Sequence, residues 1–323
     1  MRFTKMEGLG NDYIYLDCLE GAPEDLPKLA VRLSDRHFGV GADGLICIRP
    51  GQGGDFAMEM YNADGSRGAM CGNGIRCVGK YVYDCGLTRK TCLTIDTGAG
   101  PRRLELHVLG GTVDRVTVDM GPARVDSPVR AEAAGESFTV VPVDVGNPHG
   151  VIFCDNPDNL DLERLGPILE RHPALGERRN IEFVSCAGRE RLTLRVWERG
   201  SGVTLACGTG ACACFAAALW ENRCGPKAEA ALPGGTLTLE KRGEHIFMKF
   251  RNPPPDIRFP APPGGCLRGK FCRGRSPSRP APSIRQKTSL DNRGGIPLLY
   301  KNRVRNRGGN AVEYITSRKN PVM

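Results

Sequence analysis

The sequence predicts an α+β fold built from two pseudo-symmetric halves, and an internal repeat is the main reason. Residues 70–76 read Met-Cys-Gly-Asn-Gly-Ile-Arg, and 136 positions later residues 206–212 read Ala-Cys-Gly-Thr-Gly-Ala-Cys. In each copy, apolar residues at helical spacing follow the Gly-polar-Gly sequence. Strand-like segments precede both copies in the same order. We therefore expect two similar halves that face each other, each with one central helix behind its cysteine.

The N-terminal half, residues 1–120, is assigned from periodicity. Its predicted elements, in chain order, are two strands joined by a Gly-Leu-Gly-Asn loop within residues 2–18, a helix at 26–36, strands at 45–48 and 56–60, the helix after Cys71, and strands at 104–108 and 113–120. The Gly-Pro pair at 121–122 ends the last of these strands, so we place the boundary of this half there.

The C-terminal half, residues 121–250, repeats this order. Its predicted elements are strands at 138–145 and 151–153, a helix at 160–171, a strand entered near Ile181, a strand at 192–196, the helix after Cys207, and a closing hairpin of strands at 236–240 and 245–250. Because the same succession of elements leads to each cysteine, the repeat extends well beyond the two short motifs.

Residues 251–323 form a basic tail of different composition. The tail holds 16 of the 45 Lys and Arg residues but 3 of the 36 Asp and Glu residues, so residues 1–250 carry a net charge of −4 although the whole chain is at +9. It is rich in proline and arginine and lacks periodicity, which predicts disorder or an aberrant, frame-shifted extension. A basic tail can attract nucleic acid, but we do not expect nucleic-acid binding here.

The remaining composition is typical of a soluble globular protein in a reducing compartment. Hydrophobic residues make up 40% and charged residues 25% of the chain, and no apolar run approaches the roughly 20 residues of a membrane helix. The N-terminus leads into a strand without a signal-peptide core, so we expect a cytoplasmic protein. The chain is too long for a small scaffold held by its 14 cysteines, and it lacks the paired Cys-x-x-Cys units of a structural zinc site.

Residues 39–44 match the Gly-x-Gly-x-x-Gly pattern of dinucleotide-binding proteins. That fingerprint requires a strand before it and a helix after it, whereas here a predicted helix precedes the pattern and a predicted strand follows. We therefore exclude NAD binding. Since no motif for pyridoxal phosphate or for a metal ion is evident either, we expect no cofactor.

Cys71 and Cys207 are each predicted to begin a helix, and this position has chemical consequences. The amides of the first helical turn are unpaired and lie at the positive end of the helix dipole, so they bind carboxylates and lower the pKa of a thiol. Two opposed sites of this kind would hold an amino-acid carboxylate between two sulfurs. One thiolate could then remove the α-proton while the other thiol supplies a proton from the opposite face, as in a racemase or an epimerase.

Together with four further motifs, the two cysteine motifs resemble those of the diaminopimelate epimerases. The four motifs follow the family's order within roughly residues 1–250: Gly8-Leu9-Gly10-Asn11-Asp12, Asn62-Ala63-Asp64-Gly65-Ser66, Gly146-Asn147-Pro148-His149 and Val196-Trp197-Glu198-Arg199-Gly200. The resemblance implies an isomerase, independent of pyridoxal phosphate, that interconverts L,L- and meso-diaminopimelate for lysine and peptidoglycan precursors. It also implies a homodimer and two curved, mostly antiparallel sheets, each wrapped around a central helix.

The resemblance further implies a role for each residue in these motifs. In the L,L to meso direction Cys207 is the proton acceptor and Cys71 the proton donor, and His149 and Glu198 adjust the protonation of the thiols. The residues expected to bind the zwitterionic substrate offer amides, a carboxylate or a guanidinium: Asn11, Asn62, Gly72, Asn73, Asn147, Asn180, Glu198, Arg199, Gly208 and Thr209. The carboxylates of Asp12, Asp43 and Asp64 are expected to stabilise loops.

Two alternative functions remain open. Proline racemases and hydroxyproline epimerases also use two cysteines, but resemblance to them predicts a histidine where this chain has Asn73. A non-catalytic amino-acid-binding homologue would keep the fold without turnover. Retention of both cysteines favours an enzyme over this second alternative.

Overall fold

A computed structural model describes residues 2–251, 267–270, 299–305 and 311–317 of the 323-residue chain. The first half consists of eight strands and two helices, which in chain order are β1 (Arg2–Gly8), β2 (Asn11–Asp17), α1 (Leu26–Ser34), β3 (Gly44–Pro50), β4 (Phe56–Asn62), β5 (Arg67–Gly68), α2 (Gly72–Asp84), β6 (Cys92–Asp96), β7 (Arg102–Leu109) and β8 (Thr112–Pro122).

The second half begins with two short strands and then repeats the order of the first. Its elements are β9 (Arg124–Val125), β10 (Val129–Ala133), β11 (Glu136–Asp144), β12 (Pro148–Phe153), α3 (Leu162–Glu170), β13 (Asn180–Cys186), β14 (Arg191–Glu198), β15 (Gly202–Thr204), α4 (Gly208–Trp220), β16 (Lys227–Leu232), β17 (Gly235–Arg242) and β18 (His245–Arg251). The described strands of the tail are β19 (Leu267–Lys270), β20 (Leu299–Arg305) and β21 (Ala311–Ser317).

The strand pairing of the first half recurs in the second. In the first half β1 pairs antiparallel with β2, β2 pairs parallel with β3, and β3 pairs antiparallel with β4. The strand β4 then pairs antiparallel with β5 and parallel with β6, and antiparallel pairs β6–β7 and β7–β8 follow. The second half shows the same sequence of parallel and antiparallel pairs from β11 to β18. The prediction of two pseudo-symmetric, mostly antiparallel halves is therefore confirmed.

The two halves are joined through strands at their ends. The last strands of the repeats, β8 and β18, pair antiparallel with each other. The short strand β9, which follows the first repeat, pairs with β11 of the second half. Correspondingly β19, which follows the second repeat, pairs antiparallel with β1 of the first half. Each half thus receives a strand from the chain segment that leaves the other half.

A central helix packs inside each sheet. In α4 most residues are buried on every side, and they are alanine, cysteine, glycine and phenylalanine, because a helix surrounded by a sheet needs an apolar surface all round. In α2 the residues from Gly72 to Gly79 are all buried, and the partly exposed residues, Lys80, Tyr83 and Asp84, lie towards its C-terminal end. Within the described part of the chain, no helix is both long and apolar enough to span a membrane.

The predicted helices and most predicted strands are present, but several strands were missed. The strand β16 has the sequence Lys-Ala-Glu-Ala-Ala-Leu, whose residues favour helix rather than strand. Only its position between β14 and β17 makes it a strand, so tertiary context overrides local preference. Residues 267–270, 299–305 and 311–317 form strands in the tail, where none was predicted. The other tail residues lie outside the described part, so the disorder predicted for them remains a prediction.

Candidate active site

The two cysteines of the repeat each cap the N-terminus of a central helix. Cys71 precedes α2 and Cys207 precedes α4, both with extended backbone (φ −129° and −124°). The Cys71 sulfur accepts a hydrogen bond from the amide of Gly74 at 3.3 Å, and the Cys207 sulfur accepts one from Gly210 at 3.4 Å. Each sulfur is thus held at the positive end of a helix, as the sequence predicted.

The two helix N-termini meet at a pair of glycines. A Cβ atom added to Gly72 would lie 3.7 Å from the Cα of Gly208, and one added to Gly208 would lie 3.6 Å from the Cα of Gly72. The methyl group of Met248 on β18 would lie 3.1–3.2 Å from both added atoms. This close approach brings the first turns of both helices, with their unpaired amides, next to each other between the two halves.

Around Cys71, the polar partners come from the start of β2. The thiol donates a hydrogen bond to Oδ1 of Asn11 at 3.3 Å. The Nδ2 of Asn11 donates to a carboxylate oxygen of Asp43 at 2.7 Å, and this bond fixes the orientation of the amide. The phenol of Tyr13, on β2, lies within hydrogen-bonding reach of both Cys71 and Asn11. Tyr13 was not identified from the sequence.

Around Cys207, the partners are a carboxylate and two hydroxyl groups. The carboxylate of Glu198, at the end of β14, lies within hydrogen-bonding reach of the Cys207 sulfur, and it accepts a hydrogen bond from the hydroxyl of Thr204 at 2.6 Å. The Thr209 hydroxyl lies 3.4 Å from the same sulfur and accepts from Nδ2 of Asn147 at 3.5 Å. The motifs that contain these residues therefore meet at one point in space.

His149 forms a fully buried pair with Glu182, a residue to which the sequence assigned no role. Their Nδ1 and Oε1 atoms lie 2.7 Å apart, and both side chains have 0% exposure. Nε2 of His149 and Oε2 of Glu182 have no hydrogen-bond partner within the described residues. A Cβ atom on Gly210 would lie 2.7 Å from Oε1 of Glu182, so the carboxylate packs against the first turn of α4.

Burial and nearby carboxylates set the protonation of the site. Burial raises the pKa of the Cys71 thiol, and the Gly74 amide opposes this only in part. Burial together with the negative charges of Glu198 and Glu182 raises the pKa of the Cys207 thiol well above its usual value. Burial also raises the pKa of the Glu198 carboxyl. The lowered thiol pKa expected from the sequence is therefore wrong for this structure, because desolvation outweighs the helix dipole.

The remaining predicted substrate-binding residues lie at the same end of the sheets. Asn180, which pairs with His149 across β12 and β13, accepts the backbone amide of Arg199 at 2.8 Å. The exposed side chain of Arg199 donates to the carbonyl of Arg178 at 3.1 Å. At the end of β4, Asn62 donates to the Ser66 hydroxyl at 2.9 Å.

The Asn73 side chain is buried and engaged with protein partners, one of them in the other half. It is 2% exposed, its Nδ2 donates to the carbonyl of Ala206 at 3.4 Å, and its Oδ1 accepts from Arg76 at 2.6 Å. Asn73 interacts with Cys71 through its backbone amide. The side chain therefore ties the start of α2 to the residue before Cys207.

Asp12, Asp43 and Asp64 hold loops, as predicted. Asp12 forms ion pairs with Lys5 and Arg36, both at 2.8 Å. Asp64 accepts from the amide of Ser66 at 2.8 Å. Asp43 does more than was expected, because it also orients the Asn11 amide next to Cys71.

The comparison with known families agrees with this geometry. A family model described as "Diaminopimelate epimerase" matches residues 3–125 and 141–250. The chain belongs to the diaminopimelate epimerase family. Two curated members of the family are similar in sequence over most of their length. The diaminopimelate epimerase of Acetivibrio thermocellus is 46% identical over 263 residues, which cover 77% of this chain and 94% of the relative. That of Leptospira biflexa is 47% identical over 264 residues, with the same coverage.

Solved structures share the fold at low sequence identity. A hydroxyproline epimerase from Agrobacterium vitis aligns with a TM-score of 0.60 at 16% identity, and the alignment covers 78% of this chain and 90% of that protein. A predicted epimerase from Pseudomonas aeruginosa aligns with a TM-score of 0.59 at 14% identity, covering 77% and 95%. These similarities show that the chain shares the fold of these two proteins.

Proposed function

We propose that this protein is an isomerase that interconverts L,L- and meso-diaminopimelate by direct proton transfer between two cysteines. Membership in the family supports the reaction and the substrate. The observation that carries the mechanism is the meeting of two cysteine-capped helix N-termini at Gly72 and Gly208. This arrangement provides two sulfurs and two sets of first-turn amides around one cleft.

In the proposed reaction, the amides of both helices hold the carboxylate next to the reacting α-carbon. The amides are those of Gly72 and Asn73 in α2, and of Gly208 and Thr209 in α4. An α-proton beside a carboxylate is a weak acid, so charge that develops on the carboxylate must be stabilised. Fixed N–H donors at two positive helix ends do this without reorganisation, and burial makes each contact stronger.

The proton transfer itself conserves charge. In the L,L to meso direction the Cys207 thiolate takes the α-proton, and the Cys71 thiol gives a proton to the opposite face of the same carbon. The configuration at that carbon inverts, and the negative charge moves from one sulfur to the other. The reverse reaction uses the same groups with exchanged roles.

His149 and Glu198 are proposed to adjust the protonation of the thiols. The Glu198 carboxylate reaches the Cys207 sulfur, and its charge also raises the pKa of Cys71. One carboxylate can therefore bias which sulfur keeps its proton. His149 acts from behind Glu198 through its pair with Glu182, which adds a second negative charge near Cys207.

The polar side chains at the sheet ends are proposed to bind the rest of the substrate. The Glu198 carboxylate can accept from an ammonium group, and the exposed guanidinium of Arg199 can bind the distal carboxylate through two parallel hydrogen bonds. The amides of four asparagines can donate and accept at the zwitterionic ends: Asn11, Asn62, Asn147 and Asn180. Their present partners at 2.7–3.5 Å hold them in place for this.

On the basis of the family resemblance we also propose a cytoplasmic homodimer, with halves at residues 1–120 and 121–250. The end of β8 at Pro122 and the end of β18 at Arg251 support these limits. Size-exclusion chromatography with light scattering would measure the oligomeric state, and a monomer at all concentrations would contradict the dimer.

The substitutions Cys71→Ala and Cys207→Ala test the function. Each should reduce epimerisation roughly 10²–10⁴-fold, the contribution of general acid–base catalysis by one group, while circular dichroism should show an intact fold. In D₂O the wild-type product should carry deuterium at the inverted carbon.

The matched control is Cys92→Ala, since Cys92 is an exposed thiol on β6. Near-wild-type turnover in either active-site variant would refute the two-thiol mechanism. Epimerisation of proline but not of diaminopimelate would assign the chain to the proline racemase type, and neither activity would favour a binding protein.

A further inference from the structure

Tyr13 occupies the position in the first half that His149 occupies in the second. The parallel strand pairs β2–β3 and β12–β13 correspond in the two repeats, and Tyr13 pairs with Gly44 as His149 pairs with Asn180. In the antiparallel pairs on the other side, Tyr13 lies opposite Met6 and His149 opposite Val143.

The residues around these two positions also correspond. An asparagine precedes each by two residues, Asn11 in the first half and Asn147 in the second. Each half also places its own cysteine at the start of the adjacent central helix. The repeat therefore places a ring with a polar tip at the same strand position in each half.

The surroundings of Tyr13 direct its hydroxyl towards the Cys71 sulfur. The ring is 6% exposed, and it packs where Gly44 has no side chain, since a Cβ atom there would lie 2.9 Å from Cε1 of Tyr13. The phenol reaches both Cys71 and Asn11. The Asn11 oxygen accepts the thiol hydrogen, and Tyr13, two residues further along β2, lies on the same face of the strand.

We propose that the Tyr13 hydroxyl donates a hydrogen bond to the Cys71 sulfur and stabilises its thiolate during turnover. The inference rests on the proposed two-thiol reaction, in which Cys71 alternates between thiol and thiolate. Asn11 Oδ1 suits the protonated state because it can only accept, and Asp43 fixes that orientation. Tyr13 suits the charged state because a hydroxyl hydrogen can turn towards the sulfur once the thiol proton has left.

Tyr13 acts as a donor and does not carry the transferred proton. Burial raises the pKa of its phenol far above the usual value, so the hydroxyl keeps its hydrogen at any working pH. Its interaction with the sulfur lowers the pKa of Cys71 and opposes the effect of burial. A hydrogen bond to a charged group is stronger than one between neutral groups, so the contact favours the thiolate over the thiol.

Other ionisable groups act on Cys71 as well. The charge of Glu198, from β14 of the opposite half, raises the pKa of Cys71. The guanidinium of Arg76 in α2 interacts favourably with a Cys71 thiolate. Tyr15 on β2 and Cys77 on α2 lie close enough to interact with it when charged. The hydroxyl of Tyr13 can be removed by the substitution of phenylalanine, which leaves the net charge of the protein unchanged. The same holds for Tyr15, but it is Tyr13 whose hydroxyl reaches the Cys71 sulfur.

The test is the pH dependence of Cys71 alkylation, followed by mass spectrometry of the peptide that contains Cys71. Iodoacetamide reacts with the thiolate, so the rate reports the ionisation of this residue alone. The midpoint is the pH at which Cys71 is alkylated at half its maximal rate. The substitution Tyr13→Phe should raise this midpoint by about one pH unit, in line with the loss of one hydrogen bond to a charged group. In the same variant kcat should fall about tenfold, because a pKa shift of about one unit corresponds to roughly 1.4 kcal/mol, with KM changed less.

The matched control is Tyr15→Phe. Tyr15 lies on the same strand and is 1% exposed, but its hydroxyl donates to the carbonyl of Gly74 at 3.3 Å. This variant should lose a buried hydroxyl without a shift of the Cys71 midpoint. In a second variant, 3-fluorotyrosine replaces Tyr13. Its phenol is more acidic and hence a stronger donor, so the midpoint for Cys71 should fall, whereas Tyr13→Phe should raise it.

The alkylation measurement separates this inference from the proposed function. If the wild-type protein shows no epimerase activity but Tyr13→Phe still raises the midpoint for Cys71, the proposed hydrogen bond is supported and the proposed function is wrong. If the midpoint of Cys71 is the same in wild type, Tyr13→Phe and the fluorotyrosine form, the proposed role of Tyr13 is wrong whatever the activity.

Discussion

Cys71 and Cys207 hold the same position in the two repeats, but their neighbours differ. Near Cys71 stand neutral groups, Asn11 and Tyr13, whereas near Cys207 stand two carboxylates, Glu198 and Glu182. The negative charge therefore holds the proton on Cys207 more tightly. A substrate ammonium next to Glu198 would offset that charge and lower the pKa of Cys207, so binding would help to create the base.

The substitution Glu182→Gln tests the effect of charge at this scale. Because the Glu182 charge raises the pKa of Cys207, its removal should lower the pH at which Cys207 becomes reactive towards iodoacetamide. The amide can still accept from His149, so the loss of stability should stay within about 1–3 kcal/mol. Glu240→Gln, on the outer hairpin, is the control. A Cys207 midpoint that does not move, or that moves to higher pH, would show that the Glu182 charge does not reach the thiol.

At residue scale, the two cysteines were predicted from the repeated motif, and the other site residues, among them Asn11 and Asn147, from the resemblance to the family. Glu182 and Tyr13 were missed because they lie inside apolar strand patterns, where a single polar or aromatic residue is usually part of the core. The spacing Asn-x-Tyr and Asn-x-His, at residues 11–13 and 147–149, was the signal that could have found Tyr13.

At the scale of elements, the central helices were predictable and the inner strands less so. A cysteine followed by Gly-polar-Gly marks the start of α2 and of α4. The strands β6 and β16 were missed; each lies between a parallel neighbour distant in sequence, β4 or β14, and the antiparallel strand that follows it, β7 or β17. Local propensity does not contain such information.

The packing of α3 on β14 offers a test at this scale. A Cβ atom on Gly166 would lie 2.7 Å from Cε3 of Trp197, and closer to the rest of the indole. The indole cannot retreat freely, because its Nε1 donates to Glu170 at 2.7 Å. Gly166→Ala should therefore destabilise by about 1–3 kcal/mol, although alanine is favoured over glycine in a helix by about 1 kcal/mol. Thermal unfolding and Trp fluorescence would measure the effect.

The control for this substitution is Ile168→Ala, on the same helix and 42% exposed, which should change stability little. Activity should fall in Gly166→Ala, since Trp197 directly precedes Glu198 in the strand. A melting temperature higher than that of wild type would mean that helix propensity outweighs the clash, and that α3 can move away from the sheet.

At the scale of the whole molecule, the repeat was predicted and the role of the tail was not. Two related halves followed from two short motifs 136 residues apart. The strand β19 is four residues long and lies in a segment without periodicity, so the sequence offered no sign that it pairs with β1. Its position is evident only from the symmetry of the complete sheet, in which β9 has the equivalent place.

Two truncations test the contribution of β19. A chain that ends at residue 251 loses the partner of β1 over Arg2 to Lys5, and its melting temperature should fall by several degrees, since about 1 kcal/mol corresponds to roughly 2–4 °C in a domain of this size. A chain that ends at residue 271 keeps the pairing and should melt near the full-length protein. If the two truncated forms have the same melting temperature, β19 does not contribute to the stability of the fold.

The crossing of β9 and β19 limits how the cleft can open. Each half is fastened to the terminal strand of its neighbour, and β8 is hydrogen-bonded to β18 along Arg115 to Pro122. The two halves therefore cannot separate in the way that two domains joined only by a flexible linker can. We therefore expect any widening between the halves to bend the β8–β18 pairing, so that a substitution that stiffens this pairing should slow the entry and release of a ligand.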